Sequence, residues 1–573
     1  MKAHPMNDTT AVSQSPLRHI AKWLLIPATI YAVYRVFTLA WVCDDAFLSF
    51  RCALNLVNGH GLVYNIGERV EVYTNFLWTI LMAAGMVVHR DPVILSQIVS
   101  IASYIAAVAI FGYLSYILAR QEHHNHAGFF PLTALALLVH HDMHVFATSG
   151  LETAWAMALV AAGFAIILVG TTARSRFWAG LILTLAVMSR PDTAVLFVIT
   201  IPYLFVTDSP RLKNLLWYLL PAVVLYLPYW LWRYSYYGFP FPNSYYAKSA
   251  YLPYYSQGLV YLWMYLKTYY ALFLVIPLAL IAVIMFVRYK NTDHFAAILP
   301  LRGLLLGLLW AIPFVFYVVR VGGDFMFARF LIPVTPIVFF CLECALAAIN
   351  LKPTVRIAAA LLIVVSVLLR WNQFGEMVMI HGVADERTAY PERKLEQARD
   401  EAAKLKTYLD GRDVRVAFSG TKAMLAYYAG LPWALECNTG LTDTVIAHRP
   451  VEKRGRPGHE KRVQYEDMIE RKVNFIIGGT IARNPSPDQL EVISFDGAPA
   501  HIVTYQNRVM DPLRQYSEVR FVVLPEFLDW YIPQINRIPI HRLREDYDFL
   551  KQYYFDHNDD SLRQAPFIER LNP

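Results

Sequence analysis

The chain carries little charge and few cysteines for its length. Only 17% of its 573 residues are Asp, Glu, Lys or Arg, whereas soluble domains average about 25%, and 56% are hydrophobic. Five cysteines are too few for a disulfide scaffold, and Cys341 and Cys344 form a C-x-x-C spacing inside an apolar run, where helix packing is the simplest interpretation. The composition therefore favours an integral membrane protein and excludes a disulfide-rich secreted one.

The chain also lacks a phosphate-binding loop of the nucleotide type, so a cytosolic nucleotide sugar is not implied as a substrate. Its formal net charge is +7, which would indicate nucleic-acid binding only if Lys and Arg clustered on one soluble surface. Many of them instead separate apolar runs, where they report on membrane topology. We therefore expect no nucleic-acid partner.

Apolar runs dominate the first two thirds of the chain, and a helix needs about 20 apolar residues to cross a bilayer. We predict a polytopic α-helical membrane module over residues 1–370 and a soluble α/β domain over residues 371–573. The eleven candidate spans are Ile20–Trp41, Pro92–Leu118, Phe129–Phe146, Ala154–Val169, Phe177–Met188, Thr193–Val206, Leu215–Trp232, Val260–Val287, Phe295–Val318, Phe330–Ile349 and Ile357–Leu369. The soluble elements expected are a helix over Ala384–Leu409 and strands over Val414–Phe418, Phe475–Ile477 and Phe521–Leu524.

The apolar stretch Thr74–Val88 is predicted to lie flat at the membrane surface. With that assignment, alternate loops carry clusters of Lys and Arg, which is typical of cytoplasmic loops. These cations include Arg120, Arg174, Arg176, Arg211, Lys213, Lys352 and Arg356. The remaining loops and the C-terminal domain then face outward, so we expect a multi-pass protein of the plasma (inner) membrane with an extracytoplasmic C-terminal domain.

Two adjacent carboxylates, Asp44 and Asp45, follow the first span. Charge near the bilayer is costly and tends to mark function. Capping of the next helix would explain one of the two, so we predict a catalytic or metal-binding role for at least one of them. Arg51, one to two helical turns further on, is placed to bind a phosphate.

Other polar motifs fall on the same outward set of loops. Glu152 begins a membrane helix, where it is either a partner of the helix dipole or a substrate contact. Arg190 and Asp192 flank a break between two short spans, and such breaks are tolerated where they line a cavity. Asp324 follows two glycines that permit close backbone approach, and Arg329 lies near it; a salt-bridged turn is the alternative interpretation.

The loop over residues 236–248 is dense in aromatic side chains. It is either part of an interfacial aromatic belt or a surface where rings stack on a sugar, with Tyr245, Asn243 and Lys248 available to the ligand. The basic loop Arg454–Lys461 is expected to be solvated, unless it contacts the acceptor or lipid head groups. Carboxylates suit acid/base or nucleophilic chemistry at a sugar carbon, and cations suit a phosphate leaving group.

Six motifs in this order resemble those of GT-C type membrane glycosyltransferases, and among these the mycobacterial terminal arabinofuranosyltransferases are most similar. The sequence departs from the pattern at Ala328, where we expect glycine, and in the run His140–His144. The motifs are Asp44–Arg51, Glu68–Asn75, Thr148–Thr153, Ser189–Asp192, Pro242–Lys248 and Gly322–Arg329.

The resemblance implies a glycosyltransferase that uses a polyprenyl-phosphate donor, with arabinofuranose as the expected sugar and a cell-envelope glycan or protein as acceptor. It implies that Asp44 or Asp45 is catalytic, as general base or as nucleophile. It identifies no cofactor with certainty, and a divalent metal ion stays open. A lipid or polysaccharide transporter or flippase is the alternative function, although no inverted repeat supports it. We expect Arg51, Arg190, Tyr245, Lys248 and Arg329 to bind the donor, and Glu152, Asp192, Asn243 and Asp324 to bind sugar or acceptor hydroxyls.

Overall fold

The protein is described by a computed structural model that covers residues 16–121, 130–274, 299–349, 352–375, 378–479 and 490–572, together with 276, 277 and 284. The first part of the chain, up to residue 368, is helical, and its buried apolar side chains form one continuous core. Its helices are Pro16–Thr38, Ala46–Val57, Phe76–Met86, Pro92–Gln121, Leu132–Val139, His141–Phe146, Thr153–Val169, Ala173–Ser189, Ala194–Thr207, Arg211–Pro221, Leu227–Tyr237, Asn243–Ala247, Tyr255–Thr268, Leu299–Val321, Thr335–Ala348 and Pro353–Leu368.

Three stretches in the described ranges are long and apolar enough to cross a membrane by length and composition: Pro92–Arg120, Arg211–Tyr237 and Leu299–Val321. Several other apolar helices have 10–17 residues. The count of eleven spans therefore stays a prediction. The helix Phe76–Met86 has 11 residues and is about 17 Å long at 1.5 Å per residue, too short for a bilayer core of about 30 Å, consistent with the flat placement of this stretch.

Two expected spans differ from the helices observed. The stretch Phe129–Phe146 was predicted as one helix, but the helix ends at Val139 and a new one begins at His141, because the ring of His140 accepts a hydrogen bond from Met143 N (3.4 Å) and caps the second helix. Phe129 itself lies outside the described residues. The expected span Val260–Val287 begins as the helix Tyr255–Thr268. Most of its continuation, and Phe295 at the start of the next expected span, also lie outside the described residues.

A six-stranded mixed sheet organises the C-terminal part. The strand order is β4-β3-β5-β7-β6-β8; β3 pairs in parallel with β4 and β5, and the remaining pairs are antiparallel. The strands are β1 Met379–Ile380, β2 Val383–Ala384, β3 Arg415–Phe418, β4 Trp433–Glu436, β5 Phe475–Ile477, β6 Val492–Phe495, β7 Ala498–Ile502 and β8 Val519–Phe521, with β1 and β2 forming a separate hairpin. The helices are Lys394–Leu409, Ala423–Tyr428, Thr444–Ala447, Tyr465–Glu470, Asn507–Met510, Leu524–Tyr531, Ile540–Tyr553 and Ser561–Leu571.

The strands β3 and β5 lie where the sequence predicts them, whereas two other boundaries were wrong. The expected strand Phe521–Leu524 ends at Phe521, because a helix with proline in its first turn begins at Leu524. The expected helix Ala384–Leu409 begins only at Lys394, shortly after Pro391, and Ala384 pairs instead in β2. The residues that precede Lys394 are therefore not part of this helix, and Glu386 and Tyr390 among them line a cavity.

The order β4-β3-β5 makes β3 a switch point: the chain leaves β3 to form β4 on one side and then β5 on the other. Ligands of open parallel sheets bind outside the carboxyl ends of the strands at such a point. Here the loop that follows β3 leads into the helix Ala423–Tyr428, which packs on the helix Ala46–Val57 of the helical part. The carboxyl edge of the sheet therefore faces the loop that carries Asp44 and Asp45.

Candidate active site

Two adjoining cavities lie where the helical part meets the C-terminal part. The carboxylate cavity, about 180 Å³, is lined by Asp44, Asp45, Glu386 and Glu436 among others. The cationic cavity, about 220 Å³, is lined by Arg190, Lys248, Arg329 and Arg454 among others. Lys248 and Gly458 line both cavities. Small-molecule sites have volumes of about 300–1,000 Å³. Each cavity alone is smaller than this, and the two together reach the volume of one such site.

Asp44 fastens the two parts of the chain to each other. Its carboxylate oxygens accept hydrogen bonds from Ala423 N and Met424 N, each at 2.9 Å, at the start of the helix Ala423–Tyr428. Burial raises the pKa of Asp44 to about 7, although the two backbone N–H groups oppose the shift. Both oxygens are therefore engaged by backbone groups of the C-terminal part.

Asp45 differs from Asp44 in the contacts that its carboxylate makes. It occupies the position before the helix Ala46–Val57, but its side chain makes no capping hydrogen bond. Within the described part of the chain its carboxylate has no hydrogen-bond or ion-pair partner, and it lines the carboxylate cavity. Asp45 therefore does not cap the helix Ala46–Val57. Asp44 does bind the first N–H groups of a helix, but that helix, Ala423–Tyr428, is far away in sequence.

Glu386 is a second carboxylate of this cavity, and the sequence did not single it out, because it falls inside the helix predicted over Ala384–Leu409. It lies instead in the 3₁₀ turn Glu386–Ala389. Burial raises its pKa to about 7, the neighbouring Asp45 carboxylate adds to the shift, and Arg456 opposes it. The cavity thus holds two carboxyl groups, Asp45 and Glu386, close enough to influence each other electrostatically.

The loop after β4 supplies the wall opposite Asp45. Buried Glu436 accepts hydrogen bonds from Asn438 N (2.7 Å), Thr439 N (3.0 Å) and the Thr439 hydroxyl. Ser419, after β3, donates to Asn438 Oδ1 at 2.9 Å and ties the two loops together. These bonds fix the backbone of the loop while Asn438 and Thr439 line the cavity. None of these wall residues was predicted from the sequence.

The cationic cavity is built on a cluster of ion pairs. Arg190 binds Asp192 at 2.6 Å, and the Glu152 carboxylate lies 3.4 Å from Arg329 and 3.8 Å from Arg190. Asn75 Nδ2 also donates to Glu152 at 2.9 Å. Burial alone would raise the pKa of Glu152, but the two arginines outweigh it and the pKa is lowered. Glu152 therefore stays ionised and holds both guanidinium groups at the cavity wall.

Asp324 completes this cluster from the loop before Arg329. It accepts a hydrogen bond from Phe325 N (2.9 Å) and lies 3.5 Å from Arg329 Nη1. Gly323 has a φ of +73°, and a Cβ there would come within 2.4 Å of the Tyr261 ring, so only glycine fits this turn. Ala328, where the resemblance led us to expect glycine, has a φ of +64°, a conformation that glycine adopts more readily.

Lys248 has no counter-ion among the described residues. Its ammonium makes no hydrogen bond or ion pair within the described ranges and lies 5.8 Å from the centre of the Phe325 ring. Arg456 approaches the same ring at 5.2 Å, and Arg456 Nε is buried without a hydrogen-bond partner among the described residues. Two unpaired cations thus meet where the cavities join, a suitable position for an anionic group.

The segment Arg454–Lys461 forms a strap across the site, which corrects the expectation of a solvated loop. Arg454 pairs with Glu460 and donates to Leu252 O (2.6 Å), while Lys461 donates to Tyr246 O (2.7 Å) and Ala447 O (2.5 Å). Both ends of the strap are therefore fixed to the aromatic loop and its surroundings. In its middle, Arg456, Gly458 and His459 line the carboxylate cavity, and Pro457 lines the cationic cavity.

Comparison with known proteins gives two relatives. The "Terminal beta-(1->2)-arabinofuranosyltransferase" of Corynebacterium glutamicum is 30% identical over 346 residues, which cover 54% of this chain and 48% of that protein. The protein of the same name from Mycobacterium tuberculosis is 26% identical over 325 residues, covering 51% and 50%. The chain resembles terminal arabinofuranosyltransferases. These relatives confirm the resemblance predicted from the motifs, and the chain spans about half the length of each of them.

No family model matches the chain. Among solved structures, ArnT from Cupriavidus metallidurans bound to undecaprenyl phosphate gives a TM-score of 0.44 at 12% identity, covering 73% of this chain and 86% of that one. The apo form of ArnT gives 0.39 at 14% identity, covering 74% and 87%.

The structure places most of the predicted site residues at the two cavities. Asp44 and Asp45 line the carboxylate cavity, and the cationic cavity holds Glu152, Arg190, Asp192, Tyr245, Lys248, Asp324 and Arg329. The ring of Tyr245 stacks on Phe241 with centroids 4.5 Å apart. Residues from five separate loops are thus brought to one end of the helical part.

Two residues predicted to bind the ligand, Arg51 and Asn243, line neither cavity, so this expectation is corrected. Arg51 is buried and donates to Tyr64 O (2.8 Å) and Leu431 O (2.6 Å), so backbone carbonyls occupy its donors. Asn243 donates to Leu441 O at 2.6 Å and lines neither cavity. Both residues join the helical part to the C-terminal part. No group of three or more His, Cys, Asp or Glu side chains suited to a metal ion occurs in the described ranges.

Proposed function

We propose that this protein is a glycosyltransferase that moves a sugar, arabinofuranose, from a polyprenyl-phosphate carrier to a cell-envelope acceptor at the outer face of the plasma membrane. The observation that carries the proposal is the junction of the two cavities. An unpaired carboxylate, Asp45, lines one cavity, unpaired Lys248 lies at the boundary, and an arginine cluster lines the other. Transfer from a sugar phosphate requires a base on one side of the reaction centre and a phosphate-binding site on the other.

The donor fits the cationic cavity for two reasons. Arg190, Lys248, Arg329 and Arg454 outnumber the acidic groups Glu152, Asp192 and Asp324 that line it, so an anionic phosphate is attracted. Apolar side chains such as Phe241, Tyr317 and Phe330 also line it, and these suit the first isoprene units of a lipid. Tyr245 offers a ring face to the sugar.

The reaction would proceed as a displacement at the anomeric carbon. An acceptor hydroxyl attacks this carbon while its proton passes to the Asp45 carboxylate. The bond between the anomeric carbon and the phosphate oxygen breaks, and polyprenyl phosphate leaves with the electron pair. Lys248, Arg190 and Arg329 stabilise the charge that develops on the phosphate. If configuration is retained, Asp45 would instead attack the anomeric carbon and be displaced in a second step.

We expect Lys248→Ala to raise the KM for the polyprenyl-phosphate sugar about 10- to 100-fold, because a hydrogen bond to a charged group contributes about 1.5–3 kcal/mol. The measurement is the initial rate of transfer at varied donor concentration. Lys406→Ala is the matched control, because Lys406 is an exposed lysine on the helix Lys394–Leu409. A donor KM equal to that of the wild type would contradict the assignment of Lys248 to the phosphate.

The proposed function is tested with detergent-purified protein, labelled polyprenyl-phosphate arabinose and fractionated cell envelope. We expect label to move from the lipid into a glycan fraction, and the Asp45→Asn protein to show the background rate. Reconstituted vesicles then separate the alternatives. Movement of the intact labelled lipid across the bilayer without transfer of its sugar would favour a flippase and reject the proposal.

A further inference from the structure

We propose that an apolar groove outside the two cavities binds an anionic phospholipid of the membrane. The groove takes one acyl chain, and Arg69 at its rim pairs with the phosphate of the head group. The volume of the groove is about 300 Å³, and none of the residues that line it lines the carboxylate cavity or the cationic cavity. The site therefore goes beyond the proposed function and does not depend on it.

Aromatic and aliphatic side chains of two helices form the walls of the groove. The short helix that begins at Phe76 supplies Phe76 and Ile80, and the last turns of the helix Leu227–Tyr237 supply Trp232 and Tyr236. The Trp232 ring stacks on Tyr236 with centroids 5.4 Å apart and lies 5.9 Å from the Phe76 ring. Trp232 is nevertheless 41% exposed, so an acyl chain between these rings would bury apolar surface on both sides.

Gly61 forms part of the floor of the groove. Its φ is +88°, and a Cβ there would come within 2.6 Å of the Tyr236 hydroxyl oxygen. Because glycine has no Cβ, Tyr236 can lie directly against the backbone at this turn. The hydroxyl of Tyr237 also donates to Leu62 O at 2.6 Å. These contacts hold the loop against the helix, so the groove is formed before a ligand binds.

The depth of the groove in the membrane follows from the apolar stretch Arg211–Tyr237. Its 27 residues give a helix about 40 Å long, about the thickness of a bilayer with its head-group layers. The last turns of a spanning helix of this length reach the head groups. Trp and Tyr are enriched at that depth, and Trp232 and Tyr236 belong to these turns. A phospholipid in the groove therefore has its head group within reach of a side chain at the rim.

The charge at the rim favours an anionic head group. The guanidinium of Arg69 lies over the ring of Tyr236, 4.8 Å from its centre. Arg69 is exposed and makes no ion pair among the described residues. The adjacent Glu68 is engaged elsewhere, since it accepts hydrogen bonds from Trp433 Nε1 (2.7 Å) and Asn65 Nδ2 (3.1 Å). A cation near the membrane surface attracts anionic lipid, so a phosphate at Arg69 and a chain between the rings match both features of the site.

The test is a lipid-binding measurement that does not depend on sugar transfer. Native mass spectrometry of the full-length protein, purified in detergent, gives the dissociation constants of phosphatidylglycerol and phosphatidylcholine with identical acyl chains. We expect phosphatidylglycerol to bind about fivefold more tightly, the effect of one cation near an anionic lipid. Arg69→Gln should remove this preference. Trp232→Ala should instead weaken the binding of both lipids about tenfold, because it removes a wall of the groove.

Arg544→Gln is the matched control, because Arg544 is an exposed arginine of the helix Ile540–Tyr553, in the C-terminal part. Unfolding temperatures establish that the variants are folded. The inference would be overturned by equal affinity of the wild type for the two lipids, by Arg69→Gln that keeps the preference, by Trp232→Ala with unchanged affinity, or by Arg544→Gln that loses the preference.

Polyprenyl phosphate is the competing occupant of the groove. Its phosphate is assigned to the cationic cavity, so we expect phosphatidylglycerol to stay bound when polyprenyl phosphate is added at equal concentration. Displacement of phosphatidylglycerol would assign the groove to the chain of the donor lipid and reject the phospholipid site. None of these measurements involves transfer of a sugar, so the failure of this site and the failure of the proposed function are distinguishable.

Discussion

We expect Asp45→Asn to lower the rate of sugar transfer by about 10²- to 10⁴-fold, the range that a positioned general base contributes. The substitution keeps the size of the side chain but removes the proton acceptor. Because the Asp45 carboxylate caps no helix and has no partner within the described ranges, the variant should keep the unfolding temperature of the wild type. Transfer from polyprenyl-phosphate arabinose and thermal unfolding, measured on the same preparation, check both expectations.

Glu386→Gln is the informative comparison, since Glu386 is a second carboxylate in the same cavity with its pKa raised to about 7 by burial. If Asp45 is the base, Glu386→Gln changes the rate far less than Asp45→Asn does. A variant Asp45→Asn that retains more than one tenth of the wild-type rate would reject Asp45 as the base. Loss of transfer in Glu386→Gln alone would move that role to Glu386.

The contrast between Asp44 and Asp45 shows why sequence could locate the acidic pair without separating its members. Both follow the same apolar run, and either could end or cap a helix. What separates them is the helix Ala423–Tyr428, whose first N–H groups engage Asp44 only. That contact joins positions nearly 380 residues apart, and no local pattern encodes it.

The residues of the cationic cavity were more predictable than those of the carboxylate cavity. Arg190, Asp192 and Asp324 interrupt long apolar runs, where any charged residue stands out and is costly unless it has a role. Glu386 and Asn438 belong to a segment of ordinary soluble composition, in which charged and amide side chains are common. Their position depends on how the sheet edge packs against the helical part.

Arg51 was predicted from the sequence to line the site, but it does not. Its spacing from Asp45 on the helix Ala46–Val57 suggested a phosphate contact, and an arginine near two carboxylates would suit one. The guanidinium instead donates to main-chain carbonyls, among them Leu431 O at 2.6 Å. Leu431 belongs to the loop before β4 and Tyr64 to the helical part, so this arginine holds the two parts together without lining either cavity.

We expect buried Asp44 to contribute less to the stability of the protein as the pH rises from about 5 to about 8. In the unfolded chain Asp44 releases its proton near its ordinary pKa of 3.8, whereas burial keeps the folded group protonated up to about pH 7. Between these values the unfolded state binds fewer protons than the folded state, so the free energy of unfolding falls with pH. The contribution of Asp44 between pH 5 and pH 8 is on the order of 3 kcal/mol.

Asp44→Asn cannot titrate, so we expect its stability relative to that of the wild type to increase between pH 5 and pH 8. It should also be less stable at pH 5, because the amide nitrogen opposes one of the backbone N–H groups of Ala423 and Met424 and leaves that donor without a partner, at about 1–3 kcal/mol. Thermal unfolding in detergent at pH 5 and pH 8 measures both effects. Asp91→Asn is the matched control: it removes another carboxylate between the same two parts, the 2.8 Å ion pair with Arg399, while Asp44 still titrates. If Asp44→Asn and Asp91→Asn keep the same pH dependence, the buried Asp44 carboxylate is not what couples the fold to pH.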